Sequence, residues 1–201
     1  MAVPSFGVLS WCLPEREVKP IRAGDGAMAG AGAEMPIKTV DLAVAALAPG
    51  DFAPFGDVIE AAGEGIPVNE GTARRFHDLA AIDAGPAGGR LAVSVFRARP
   101  WPRPIQVRMM ERHPLGSQAF VPMSEWPFAV VVAPPGPTPK LEDLRAFVTN
   151  GRQGVHYRPG VWHHPLLVLD QPADVLVIDR VGPGVNVDKV SFLAHGIFLA
   201  L

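Results

Sequence analysis

The chain is poor in cysteine, in charge of either sign and in long apolar runs, and each shortage excludes something. A single cysteine, Cys12, in 201 residues cannot form an internal disulfide, and there is no Cys-x-x-Cys pair. That usage fits a reducing compartment and predicts a cytoplasmic protein. The 18 basic and 20 acidic residues leave a formal net charge of -2 with no basic run, so the electrostatic footprint of a nucleic-acid binder is missing. No stretch of about 18 apolar residues exists to make a membrane-spanning helix. The apolar segment Phe6 to Leu13 is short, lacks a preceding basic residue and runs into Pro14-Glu15-Arg16-Glu17, a poor match to a secretory signal.

What is abundant is punctuation. With 22 Pro and 21 Gly, the chain reads from Met35 onward as short β candidates separated by turns. They fall near residues 37 to 43, 56 to 60, 75 to 81, 90 to 98, 104 to 113, 117 to 122, 127 to 133, 145 to 149, 154 to 157, 162 to 169 and 174 to 180. Spacing of this kind predicts an all-β sandwich or barrel with a few short helical turns, at 48 to 53, where Asp51 or a neighbour would cap, and at 140 to 144. Residues 23 to 34 are small-residue low complexity. Residues 1 to 34 are therefore expected to be a disordered, dispensable N-terminal extension, and residues 35 to 201 a single domain.

Two stretches place polar, metal-capable side chains inside this apolar pattern. On a strand from 104 to 113, side chains alternate faces, so Glu111 and His113 share a side and Arg112 points away. Gly116 marks a turn and Gln118 opens the next apolar run, so a Glu, a His and a Gln are expected to converge within one hairpin. Pro159-Gly160 signals a turn before a strand on which His163 and His164 face opposite ways. Only one of the two can join the cluster; parity gives that place to His163 and leaves His164 as a surface or interface histidine. The bland alternative for Glu111 and His113 is a buried hydrogen-bonded pair, but clustering with Gln118 favours chemistry.

Arg75-Phe76-His77-Asp78-Leu79, Glu111-Arg112-His113-Pro114-Leu115-Gly116-Ser117-Gln118-Ala119-Phe120-Val121-Pro122, Leu144-Arg145-Ala146-Phe147-Val148-Thr149-Asn150-Gly151, Gly154-Val155, Val161-Trp162-His163-His164-Pro165-Leu166 and Ile178-Asp179-Arg180 together resemble the ureidoglycolate lyase family. The resemblance covers about residues 35 to 185. It implies a cupin-like β-barrel of jelly-roll type, a homodimer, and cleavage of ureidoglycolate to glyoxylate and urea in allantoin (purine) degradation. The general cupin metal pattern, His-x-His, then Glu, then a later His, is met here by Glu111, His113, Gln118 and His163. Gln is a neutral, weaker ligand, so the resemblance leaves room for a divalent ion, nickel or another, without requiring it. It implies no nucleotide cofactor.

The implied elimination needs a base, an acid and a carboxylate clamp. Glu111 or His163 would take the hydroxyl proton and His113 would supply the departing nitrogen, or the roles are exchanged. Arg75 suits two-pronged carboxylate binding, although the resemblance and not the chemistry prefers it to Arg74. His77 shares its face and is either a substrate contact or a structural hydrogen bond. Asp179 and Arg180 are expected to form an ion pair or a loop anchor. Two other classes compete with the lyase: another cupin enzyme, such as a metal-dependent oxygenase or isomerase, and a non-catalytic ligand-binding cupin. The first would want a stronger ligand than Gln118, and Glu111 with two histidines argues against the second.

Overall fold

The computed structural model describes residues 19–20, 39–85, 88–192 and 195–201. Apart from the backbone of Lys19–Pro20, the expected N-terminal extension lies outside the described residues. In chain order the first elements are β1 (Lys19–Pro20), β2 (Thr39–Ala46), a helical turn α1 (Pro49–Phe52), β3 (Gly56–Ile59), β4 (Ile66–Val68), β5 (Ala73–Arg75) and β6 (Arg90–Ala98). There follow β7 (Met109–Arg112), β8 (Gln118–Pro122), β9 (Phe128–Ala133), β10 (Arg145–Val148), β11 (Gly154–Tyr157) and β12 (Trp162–His163). The last are β13 (Leu167–Val168), β14 (Ala173–Val181), β15 (Asp188–Ser191) and β16 (Gly196–Ala200).

These strands form the expected all-β, cupin-like barrel. A nine-stranded sheet has the order β1-β15-β7-β12-β9-β10-β2-β16, with β13 also on β9; a five-stranded sheet has the order β3-β11-β8-β14-β6. The sequence of β9, Phe-Ala-Val-Val-Val-Ala, is buried at every position, as a strand covered on both faces requires. Val130 and Val132 point towards the smaller sheet and pack with Phe120, Val155, Tyr157 and Val177 from it, and with Phe52, Phe55 and Phe147. The other face of β9 carries Ala129, Val131 and Ala133 into a second core with Met110, Trp162, Val190 and Ile197. The first core is the floor of the site described below.

Several expected boundaries move, for local reasons. The strand expected at 104 to 113 is regular only over 109 to 112: Pro104 has no N–H to give to a ladder, and Gln106 makes only an isolated bridge to Phe198. Pro165 likewise divides the expected 162 to 169 strand into β12 and β13. The 75 to 81 strand ends at Arg75, and Asp78 has φ 58, outside the extended region. The helical turn starts from Ala48 with no side-chain cap, so Asp51 does not cap it. Four strands, β1, β4, β15 and β16, lie outside the expected set, although Val190 and Phe192, and Ile197 and Leu199, alternate as buried positions.

The largest correction concerns residues 111 to 122. They are not a hairpin: β7 belongs to the large sheet and β8 to the small one. The chain crosses between sheets at Gly116, where an added Cβ would lie 2.6 Å from the Cβ of Arg180. Glu111 and His113 thus approach Gln118 across the barrel.

Candidate active site

Register builds the site as two rows facing each other. On the small sheet Tyr157 lies opposite Gln118, and Gln118 opposite Asp179. Directly opposed residues share a face, and these sit one period of two from the core residues Val155, Phe120 and Val177. On the large sheet His163 lies opposite both Glu111 and Val132, while Lys189 flanks Glu111. His113 follows directly after β7 and joins this second row. The rows meet where the Tyr157 ring stacks on His163, centroids 4.4 Å apart and 9° from parallel.

Glu111, His113 and His163 each offer one ligand atom, and these atoms all lie within 4.8 Å of one another. His163 Nε2 is 3.9 Å from Glu111 Oε1, and the two imidazole centroids are 5.2 Å apart. Backbone contacts fix both rings. His113 Nδ1 lies 2.7 Å from the Asn186 carbonyl oxygen, and His163 Nδ1 lies 3.1 Å from that of Val161. A carbonyl can only accept, so Nδ1 carries the proton on each ring and Nε2 of a neutral ring presents a lone pair. Both Nε2 atoms, and Gln118 Oε1, are buried without a hydrogen-bond partner. Two imidazole lone pairs and a carboxylate are a donor set that fits a divalent ion, with backbone carbonyls orienting the imidazoles behind it.

Local turns hold the segments together. Gly160, with φ +79, donates its N–H to the His113 carbonyl at 2.9 Å, so the expected Pro159-Gly160 turn ties the two site segments. Asn186 Oδ1 accepts from the Leu115 N–H at 2.8 Å while its own carbonyl holds His113. Burial, with the neighbouring His113 and then His164 adding to it, lowers the His163 pKa well below the ordinary imidazole range against the opposing Val161 hydrogen bond. His163 is therefore neutral. Burial, then the charge of Glu111, raises the Tyr157 hydroxyl, which stays protonated. Burial also raises Asp179, partly offset by a hydrogen bond from the Gln118 side chain and by His113.

The other expected residues fall as follows. Gln118 reaches the site from the facing sheet. Arg75, at the end of β5, and His77, just beyond it, are exposed and pair with each other, Nη2 to Nδ1 at 2.8 Å, and His77 is not one of the ligand-bearing residues grouped with Glu111. His164 does face away from His163, but it is buried at 4% exposure, edge-on to Trp101, and is no surface residue. Arg112 points away from Glu111 as expected, bonds Asp188 at 2.8 Å and lies over the Trp162 ring at 4.6 Å. Asp179 and Arg180 part company: Asp179 turns inward to Gln118, and buried Arg180 bonds the Pro183 carbonyl at 2.9 Å, the anchor role alone. Tyr157 and Asn186 carry no expectation from the sequence, and Asp179 carries one for a different role. Period-two alternation with Val155 and Val177 could have placed Tyr157 and Asp179 inward; nothing local marked Asn186, which meets His113 from 73 residues away.

The chain matches the family model described as ureidoglycolate lyase over residues 39–198. A protein of Burkholderia mallei named ureidoglycolate lyase is 55% identical over 139 residues, which is 69% of this chain and 81% of that one. One of Azotobacter vinelandii with the same name is 51% identical over 152 residues, 75% of this chain and 92% of its own. A third, from Pseudomonas syringae, is 51% identical over 142 residues, 70% and 84% of the two chains. With most of the described barrel inside these matches, the chain belongs to the ureidoglycolate lyase family.

Proposed function

We propose that this chain is a lyase that cleaves ureidoglycolate to glyoxylate and urea, in allantoin (purine) degradation. The observation that carries the reading is the convergence of Glu111, His113 and His163, with ligand atoms within 4.8 Å, inside the barrel of a member of this family. Ureidoglycolate holds hydroxyl, carboxylate and a urea nitrogen on one carbon. Elimination breaks the carbon–nitrogen bond, turns the hydroxyl carbon into an aldehyde, and moves one proton from that hydroxyl to the leaving nitrogen. No oxidant or nucleotide is consumed. Glu111, partly exposed, takes the hydroxyl proton, and the leaving nitrogen receives one on the side of His113. His163, held neutral, accepts at Nε2. Glu111, His113 and His163 would hold a divalent ion, nickel or another, which when bound would lower the pKa of the substrate hydroxyl and counter its carboxylate. Arg75 spends one of its five N–H donors on His77 and keeps others for a carboxylate.

The same proposal includes a cytoplasmic homodimer. The cysteine usage supports the compartment. Edge strand β6 supports the dimer: among the described residues it pairs on one side only, with β14, and it exposes Leu91, Val93 and Val95 along one face. A monomeric mass by light scattering at micromolar concentration would refute it. The test of function is purified protein with ureidoglycolate, measuring urea, ammonia and glyoxylate separately. Equal urea and glyoxylate are expected; ammonia in place of urea overturns the reading.

A further inference from the structure

We infer that Gln118, oriented by Asp179, is the residue that recognises the ureido end of the substrate, its side-chain oxygen accepting an N–H of the departing urea. The inference rests on the lyase reading and assigns one end of its substrate.

A carboxylate only accepts, so the hydrogen bond between the Gln118 side chain and Asp179 turns the amide NH2 towards Asp179 and Oε1 away from it. That oxygen is buried, the residue is 5% exposed, and Oε1 has no partner. A buried acceptor without a donor is unfavourable, and a fold can retain one where a ligand brings the donor. A neighbour of Gln118 in its row reaches the Glu111 cluster: Tyr157, directly opposite Gln118, stacks on His163. Gln118 therefore borders the reacting centre.

The substrate's donors identify what Oε1 meets. Its carboxylate has none, and its hydroxyl proton goes to the base. The ureido group has three N–H bonds, and the urea that leaves has four. A neutral amide oxygen matches them without setting a second anion against the substrate carboxylate, which a Glu at this position would do. Asp179 acts through Gln118 and is a positioning residue.

The experiment uses intact protein, with urea and glyoxylate as product inhibitors of ureidoglycolate cleavage and direct measurement of bound divalent metal. Gln118→Met keeps length and removes the acceptor; the inhibition constant for urea should rise about tenfold or more while that for glyoxylate stays within about twofold. Asp179→Ala should give the same split more weakly, because the freed amide can turn, and Asp179→Asn, whose oxygen still accepts from Gln118, should restore most of it. Should Gln118→Met not fold, the Asp179 pair carries the comparison alone. Equal weakening for both products, an unchanged urea constant, or loss of bound metal with urea inhibition intact would each overturn the assignment. Failure of the intact protein to release urea would instead overturn the lyase reading beneath it.

Discussion

The floor of the barrel and the rows above it are made by the same strands two residues apart. Val155 and Tyr157, Phe120 and Gln118, Val177 and Asp179 alternate with outward residues and point into one interior, yet the first of each pair packs and the second borders the site. On the floor, Phe52 is fully buried, with ring centroids 5.9 Å from Phe55 and 5.8 Å from Phe147, and no polar atom waits for a partner. In the rows, two imidazole nitrogens and an amide oxygen are buried and unpartnered. The floor should hold stability and the rows should hold turnover, and substitutions can separate the two.

The largest effect is expected at His163. In His163→Phe a ring remains to stack on Tyr157 while the Nε2 lone pair is gone. Turnover should fall about 100-fold to 10,000-fold with no loss of melting temperature. An unfolded variant, or one with normal turnover, would blur the division. Phe52→Ala is the reverse case: a fully buried aromatic lost from the floor should cost about 3–5 kcal/mol in a denaturant titration, while turnover per folded molecule stays within a few-fold.

A smaller effect links the two regions through pH. His163 has its pKa lowered well below 6.5 by burial, so below that value the unfolded chain binds a proton that the folded chain refuses. Stability is then greatest above about pH 6.5 and declines as pH falls, the direction given by linkage. His164, also lowered by burial, adds in the same direction. Melting temperature measured on metal-free protein should drop from pH 7.5 to pH 5.5, with a shallower drop in His163→Phe; equal slopes would mean His163 is not buried neutral. The smallest effect is expected at Arg75→Lys, outside both regions. Replacing a two-pronged fork by a point charge should raise KM several-fold and leave kcat nearly unchanged, and an unaltered KM would remove Arg75 from carboxylate binding.

Much of this comparison could be read from the residues. The period-two pattern gave the strands that carry Glu111, Gln118 and His163, and parity placed Arg112 and His164 on the faces they occupy. It could not show that residues 111 to 122 cross between sheets, because a Gly-containing turn reads the same whether the next strand pairs beside the last or across the barrel. Asn186 is beyond reach for the same reason, its partner His113 lying 73 residues away; for Asp179 alternation gives the face, but not its partner Gln118, which register brings opposite it. The β5 segment differs again: the resemblance picks out Arg75 and His77, and what the strand pattern could not show is that the chain leaves the extended region at Asp78, with the two side chains exposed and paired with each other.

The central claim, that the Glu111 row performs the chemistry, is tested most directly by Glu111→Gln, which keeps shape and hydrogen-bonding capacity but removes the negative charge. Ureidoglycolate turnover is measured with and without added divalent metal, beside a thermal melt of the same sample. The account predicts a fall of about 100-fold to 10,000-fold under both conditions with the melting temperature preserved. Near-normal turnover in a folded Glu111→Gln protein under both conditions would contradict it.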